Sequence, residues 1–257
     1  MVASNNRIFY ACQVVGIKPL AGAATTYRIA KGVQSVGITT NFNLEQAFEL
    51  GQVQIYENIE GTPDVEVTME KVVDGYPLLF HLASPAASSA GLVGRSKERA
   101  DLALGIWSDG YDFVGEQGSP NDDNPQVQVN CSGMYLSSVS YSIPVDGMTT
   151  ESVTLVGNHK TWLTDASTDL NPSSNSFGSD TPYSSGQGGV QRRENVLLSH
   201  CSFPSDVHGV NGSGMGNAYD SSNKVPRVHL QSMSVSTDFS REDIQELGRK
   251  APYYRAT

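Results

Sequence analysis

The chain states one phrase twice. Residues 33–51 read VQSVGITTNFNLEQAFELG, and residues 230–248 read LQSMSVSTDFSREDIQELG. At constant offset the copies share Gln34/Gln231, Ser35/Ser232, Thr40/Thr237 and Phe42/Phe239, then Glu45/Glu242, Glu49/Glu246, Leu50/Leu247 and Gly51/Gly248. A duplicated phrase constrains the fold because both copies must suit the same local geometry. The first half of each alternates apolar and small polar residues with period two, as a half-buried strand does. Asn43 or Ser240 then stands where a helix N-cap belongs, with Gln46 or Asp243 three residues on. The pattern predicts a turn or two of helix, closed by Gly51 or Gly248 at a position that favours a left-handed residue. Two copies are too few for a solenoid. They read as a duplication within one domain, or as two similar elements packed together.

The rest of the chain is also written for strands. Residues 7–17 and 27–30 are rich in β-formers, and residues 52–59 alternate up to a turn at Glu60-Gly61-Thr62-Pro63. Residues 64–72 alternate most cleanly. Val65, Val67 and Met69 point one way; Asp64, Glu66, Thr68 and Glu70 point the other. Asp74-Gly75 is a hairpin-type turn signal, and residues 77–82 form a buried-looking apolar run. Residues 96–103 suit a short helix capped by Ser96, with a strand beginning near Leu102. Three strands are expected at residues 126–130, 134–143 and 148–156, the last two joined by Pro144-Val145-Asp146-Gly147, and another at 196–203. Short strands, few helices and long polar loops predict an all-β chain with minor α content: an antiparallel sandwich or barrel with one or two short helices.

No composition break marks a boundary, so residues 1–257 read as a single domain. Residues 163–195, low in apolar side chains, read as a low-complexity loop insertion, either disordered or ordered by a neighbouring molecule. No apolar run has the length of a membrane span, and MVASNNRIF lacks the layout of a signal peptide. Cys12, Cys131 and Cys201, widely spaced and odd in number, argue against a disulfide framework and for a reducing compartment. The net charge of −10 decides against an ordinary nucleic-acid binder, which shows a basic face to phosphates. It leaves open a protein that lets nucleic acid pass without holding it.

Catalytic and metal signals are weak. His200, Cys201 and His208 with Cys131 match no standard zinc spacing. Residues 212–216 resemble a phosphate loop only by glycine count. Asp109, Asp112, Glu116, Asp122 and Asp123 do not follow the EF-hand order. No catalytic set, cofactor site or metal site is assigned, and the chain reads as non-enzymatic. The acidic alternation of Asp64, Glu66 and Glu70 has two readings: a solvent-facing sheet surface, or the wall of a channel lined by several copies.

Residues 32–82, residues 137–162 (SSVSYSIPVDGMTTESVTLVGNHKTW) and the closing FSREDIQELGRKAPYYR resemble virion structural proteins of tailed bacteriophages, and among them the tail tube proteins of long-tailed phages. The resemblance implies two packed antiparallel sheets with a flanking helix. It implies hexameric rings whose sheets merge into one inner barrel, stacked into a tube through which DNA leaves the particle. In such a tube Asp64, Glu66, Thr68 and Glu70 face the lumen. Partners are then other copies of the chain and other tail proteins (sheath if the tail contracts, baseplate, terminator), with DNA in transit and no membrane. The location is the virion tail, assembled in the host bacterial cytoplasm. The chain is longer than the simplest tube proteins, and its C-terminal copy lacks the two strands that follow the first copy. A neck, baseplate or capsid-decoration protein is the nearest alternative. A carbohydrate-binding β-sandwich using Trp107, Trp162 and Tyr111 is a more distant one.

Overall fold

The computed structural model describes residues 13–20, 26–51, 53, 55–84, 97–107, 125–164, 167–170, 177–178, 189–191, 231–248 and 254–256. His200, Cys201, His208, Tyr111, the glycine-rich residues 212–216, the acidic residues 109–123 and the expected strand at 196–203 lie outside them.

Alternating sequence becomes alternating burial. The elements are β1 (Gln13–Pro19), β2 (Tyr27–Ile29), β3 (Val33–Phe48), β4 (Ile55–Val72), α1 (Leu79–Ala83), β5 (Arg99–Ile106), β6 (Val127–Pro144), β7 (Thr150–Gly157), β8 (His159–Thr164), β9 (Phe177–Gly178), β10 (Ser232–Asp238), β11 (Glu242–Ile244) and β12 (Tyr254–Ala256). Among the described residues the first ten strands form one sheet ordered β3-β4-β7-β6-β5-β1-β2-β9, with β8 and β10 also paired to β6. Every pairing is antiparallel except β2 with β9. β6 is the spine. Along one edge it carries β7 and then β8; along the other it carries β10 and then β5.

The sheet does not close into a barrel. Its main core gathers Ile17 of β1, Val67 and Met69 of β4, Leu102 of β5, Met134 and Leu136 of β6, and Leu155 of β7 with Leu79 and Leu82 of α1, and a smaller cluster holds Tyr27, Ala103 and Leu170. This is the all-β chain with minor α content that the pattern predicts. No helix among the described residues is long and apolar enough to cross a membrane.

The helices are where the sequence misleads. Neither copy of the duplicated phrase forms one. In the first, β3 runs straight through Asn43 to Phe48; in the second, β10 is followed by the short strand β11, paired to β12. Helix propensity in NLEQAF is a weak preference, and pairing with β4 from Leu44↔Glu60 to Phe48↔Ile55 overrides it. The turn expected at Glu60-Gly61-Thr62-Pro63 is absorbed into β4, where the ladder slips between Phe42 and Leu44. The helix expected at residues 96–103 is instead β5 from Arg99, and the apolar run at 77–82 leads into α1, which ends at Ala83. The expected strands at 126–130 and 134–143 are one strand, β6. It passes through Gly133 at φ 68, where glycine tolerates the left-handed conformation.

Described parts of residues 163–195 are tied to the body by this chain itself. Leu170 is fully buried, and Gln128 Oε1 accepts the backbone N–H groups of Asp169 and Leu170 at 3.0 Å each. β9 extends β2, and Gln191 N–H donates to Val73 O at 2.9 Å.

Candidate assembly surface

Strands β3, β4, β7, β6 and β10 are neighbours in that order, and one face of them turns away from the core. Reading across the ladders, one row is Ser35–Glu70–Ser152–Ser140–Ser236 and the next is Gly37–Thr68–Thr154–Ser138–Asp238. A third, Thr39–Glu66–Val156–Tyr135, ends at a ring over which the Arg241 guanidinium lies, 4.9 Å from the centroid. Arg241 also donates from Nε to Leu136 O at 2.7 Å. Asp64, beside Asn41, completes the acidic set; it is exposed, as are Glu66, Thr68 and Glu70. The four residues therefore share a face, as their spacing predicts. The sequence did not reveal their surroundings: hydroxyl-bearing neighbours from four other strands, with no lysine, arginine or histidine at an outward position of the five strands. Only the pairing registers, which set Glu70 beside Ser152 and Ser140 beside Ser236, bring these serines together.

Beyond Phe42 the β3–β4 hairpin continues as an arm with both faces in solvent. Phe42, Leu44, Phe48, Ile55 and Ile59 are exposed, and Leu50 and Val53 at its tip are fully so. Glu45, Glu49 and Glu57 are its described exposed charges. Asn43 clamps the root of the arm. Its Nδ2 donates to Thr62 O at 3.1 Å and to Asp64 Oδ2 at 3.0 Å, and its Oδ1 accepts from Asn41 Nδ2 at 3.3 Å. A side chain at Gly61 would run into Asn43 O, so the bulge requires glycine there. Asn43 is thus a bulge clamp and not a helix cap. Gly51 and Gly248 do take positive φ, 95° and 89°, but at the ends of strand segments. Ser240, at φ 39°, donates its N–H to Asp238 Oδ1 at 2.9 Å in a local turn after β10.

The opposite side of the same strands holds a buried polar network that the sequence did not signal. Lys71 on β4 and Glu151 on β7 are cross-strand neighbours, both fully buried. Glu151 accepts the N–H groups of Leu79 at 2.7 Å and Phe80 at 3.1 Å and the Tyr141 hydroxyl at 3.0 Å, which fixes α1 to the sheet. Burial raises its pKa, against those three hydrogen bonds and the more distant Lys71.

The other sequence candidates do not converge. Trp107 is buried, with its ring where a side chain at Gly105 would sit, whereas Trp162 on β8 is exposed beside Lys160. Cys131 is in the core with its thiol pushed up to about 11 by burial. Among the described residues no group of three or more His, Cys, Asp and Glu gathers as a metal site.

No protein-family model matches the chain, and no curated protein does. Solved structures do align. A chain of the anti-feeding prophage cap, described as its tube-terminating cap, is 16% identical over 64% of this chain and 95% of its own, with a TM-score of 0.43. One from the sheath–tube complex of the extracellular contractile injection system PVC in the extended state is 15% identical over 63% and 95%, with a TM-score of 0.38. One from the sheath/tube terminator of that system is 15% identical over 63% and 99%, with a TM-score of 0.39.

Proposed function

We propose that this chain is a structural subunit of a phage-tail-like particle. Its copies join into rings, hexameric in the family it resembles, and the rings stack as a tail tube. The outward face of β3, β4, β7, β6 and β10 lines the conduit. The observation that carries this reading is the composition of that face: carboxylates and hydroxyls spread across five strands, none of which has a lysine, arginine or histidine at an outward position, with the Arg241 guanidinium from the segment after β10 lying over Tyr135 at its margin. Phosphates bind where lysine and arginine release their counterions. A wall of like charge keeps them moving. The arm, with exposed apolar side chains among its carboxylates, suits contact with a further copy or with a neighbouring tail protein such as a sheath, baseplate or terminator subunit.

Negative-stain electron microscopy of the purified protein tests the assembly. Rings or tubes are expected, and a monomer that persists at high concentration overturns the reading. For the wall, Glu66→Lys and Glu70→Lys are combined, leaving Asp64 to its hydrogen bond with Asn43. The assembly should survive and acquire DNA binding that falls steeply with salt. Rings that still ignore DNA would place the face elsewhere.

A further inference from the structure

Strands β3 and β10, which carry the duplicated phrase, are the two outermost strands of the face just described. Among the described residues β3 pairs only with β4, and β10 only with β6. Among the described residues each therefore leaves a row of backbone donors and acceptors open, and neither strand has a lysine or proline to discourage another from adding there.

We infer that β10 of one copy pairs with β3 of the next as a parallel ladder, in the register that sets the duplicated residues side by side. The inference rests on the ring reading above and specifies the junction that ring would use. Direction follows from strand count. The pairings β3–β4, β4–β7, β7–β6 and β6–β10 are all antiparallel, so β3 and β10 run the same way. Rotation about a ring axis preserves that direction, so β10 meets the next β3 parallel. A two-fold axis would instead set β3 against β3, or β10 against β10, antiparallel. Either two-fold pairing uses one edge and leaves the other bare, whereas the head-to-tail junction uses both.

The faces limit the register to even steps, and the duplicated residues select the step in which like stands beside like. With Ser35 beside Ser232, outward Thr39 stands next to outward Ser236, and core-side Ile38 next to Val235. Val235 lies on the core side of β10, opposite Tyr141, and is 49% exposed. Ile38 of the next copy would cover it. A one-residue slip would set apolar side chains against the hydroxyl face.

Cysteine pairs test the junction in a Cys12→Ser/Cys201→Ser background, which leaves only the buried Cys131. Thr39→Cys with Ser236→Cys, and separately Ser35→Cys with Ser232→Cys, place thiols at exposed positions that neighbour each other only across the inferred ladder. Circular dichroism first confirms native folding of each variant. On oxidation both double variants should give a ladder of covalent multimers ending in one closed species, and each single variant should stay monomeric on a non-reducing gel. A dimer from Thr39→Cys alone would show β3 against β3 and overturn the inference. Rings seen by microscopy without cross-links in either double variant would overturn the junction while leaving the ring reading intact. Monomers without rings would overturn both.

Discussion

Lys71 and Glu151 stand opposite each other on β4 and β7, both fully buried, yet their charged ends serve different partners. Lys71 Nζ donates to Asp74 Oδ1 at 2.8 Å and to Lys31 O at 2.5 Å, holding the segments on either side of the β3–β4 hairpin together. Glu151 reaches the other way, to α1. Two buried charges thus fix the connections at the edge of the core, while apolar side chains fill its centre.

Glu151 gives a pH signature. Burial raises its folded-state pKa above the ordinary carboxylate range, so the folded protein binds that proton more tightly than the unfolded chain. The associated stability is fully present below the unfolded pKa and is lost as pH rises through the raised one. Glu151→Gln removes this titration. Its amide also turns a donor toward the N–H of Leu79 or Phe80, a loss of about 1–3 kcal/mol. Thermal melts across pH should therefore show the wild type's advantage over Glu151→Gln widest in acid and narrowing toward neutrality. An advantage that grows with pH would contradict the assignment.

Lys71→Met keeps the length of the side chain but strips Asp74 and Lys31 O of their shared donor. Removing one member of a buried ion pair costs about 3 kcal/mol, and urea unfolding should show a loss of that size. Asp74→Asn should lose less, because Asp74 is partly exposed and its Oδ1 position still accepts from Tyr76 N–H.

Adjacent positions on β4 should respond in opposite ways. Met69 is 1% exposed, in the core beside Val67. Met69→Ala should lower stability by about 2–5 kcal/mol, whereas Thr68→Ala, on the outward face, should change it by no more than about 0.5 kcal/mol. Similar effects at the two positions would mean that the strand is out of the register described.

Cys131 offers a probe of global opening. Its thiol is in the core and pushed up to about 11. In the Cys12→Ser/Cys201→Ser background, a thiol reagent at pH 8 should label the native protein only at the rate at which it unfolds. Labelling as fast as in urea would place Cys131 at the surface.

The face was half legible in the sequence. Period-two alternation placed Asp64, Glu66, Thr68 and Glu70 together, because a strand's geometry reads directly from spacing. It could not place Ser138, Ser140, Ser152 or Ser236 beside them, because cross-strand neighbours are set by pairing between distant segments. Helix capping at Asn43 and Ser240 failed for a related reason. Asn and Ser before a polar run suit a cap and a turn or bulge equally; Thr62 and Asp64 decided it for Asn43, and Asp238 for Ser240. The buried pair Lys71 and Glu151 was hidden because a charged residue in an alternating strand ordinarily marks the solvent side.

β6 threads both halves of the sheet, its eighteen residues bonded to β7 and β8 on one edge and to β10 and β5 on the other. A slip of β6 along its own axis would break the ladders to all four of these neighbours at once, so its backbone amides should be among the slowest in the sheet to exchange with solvent.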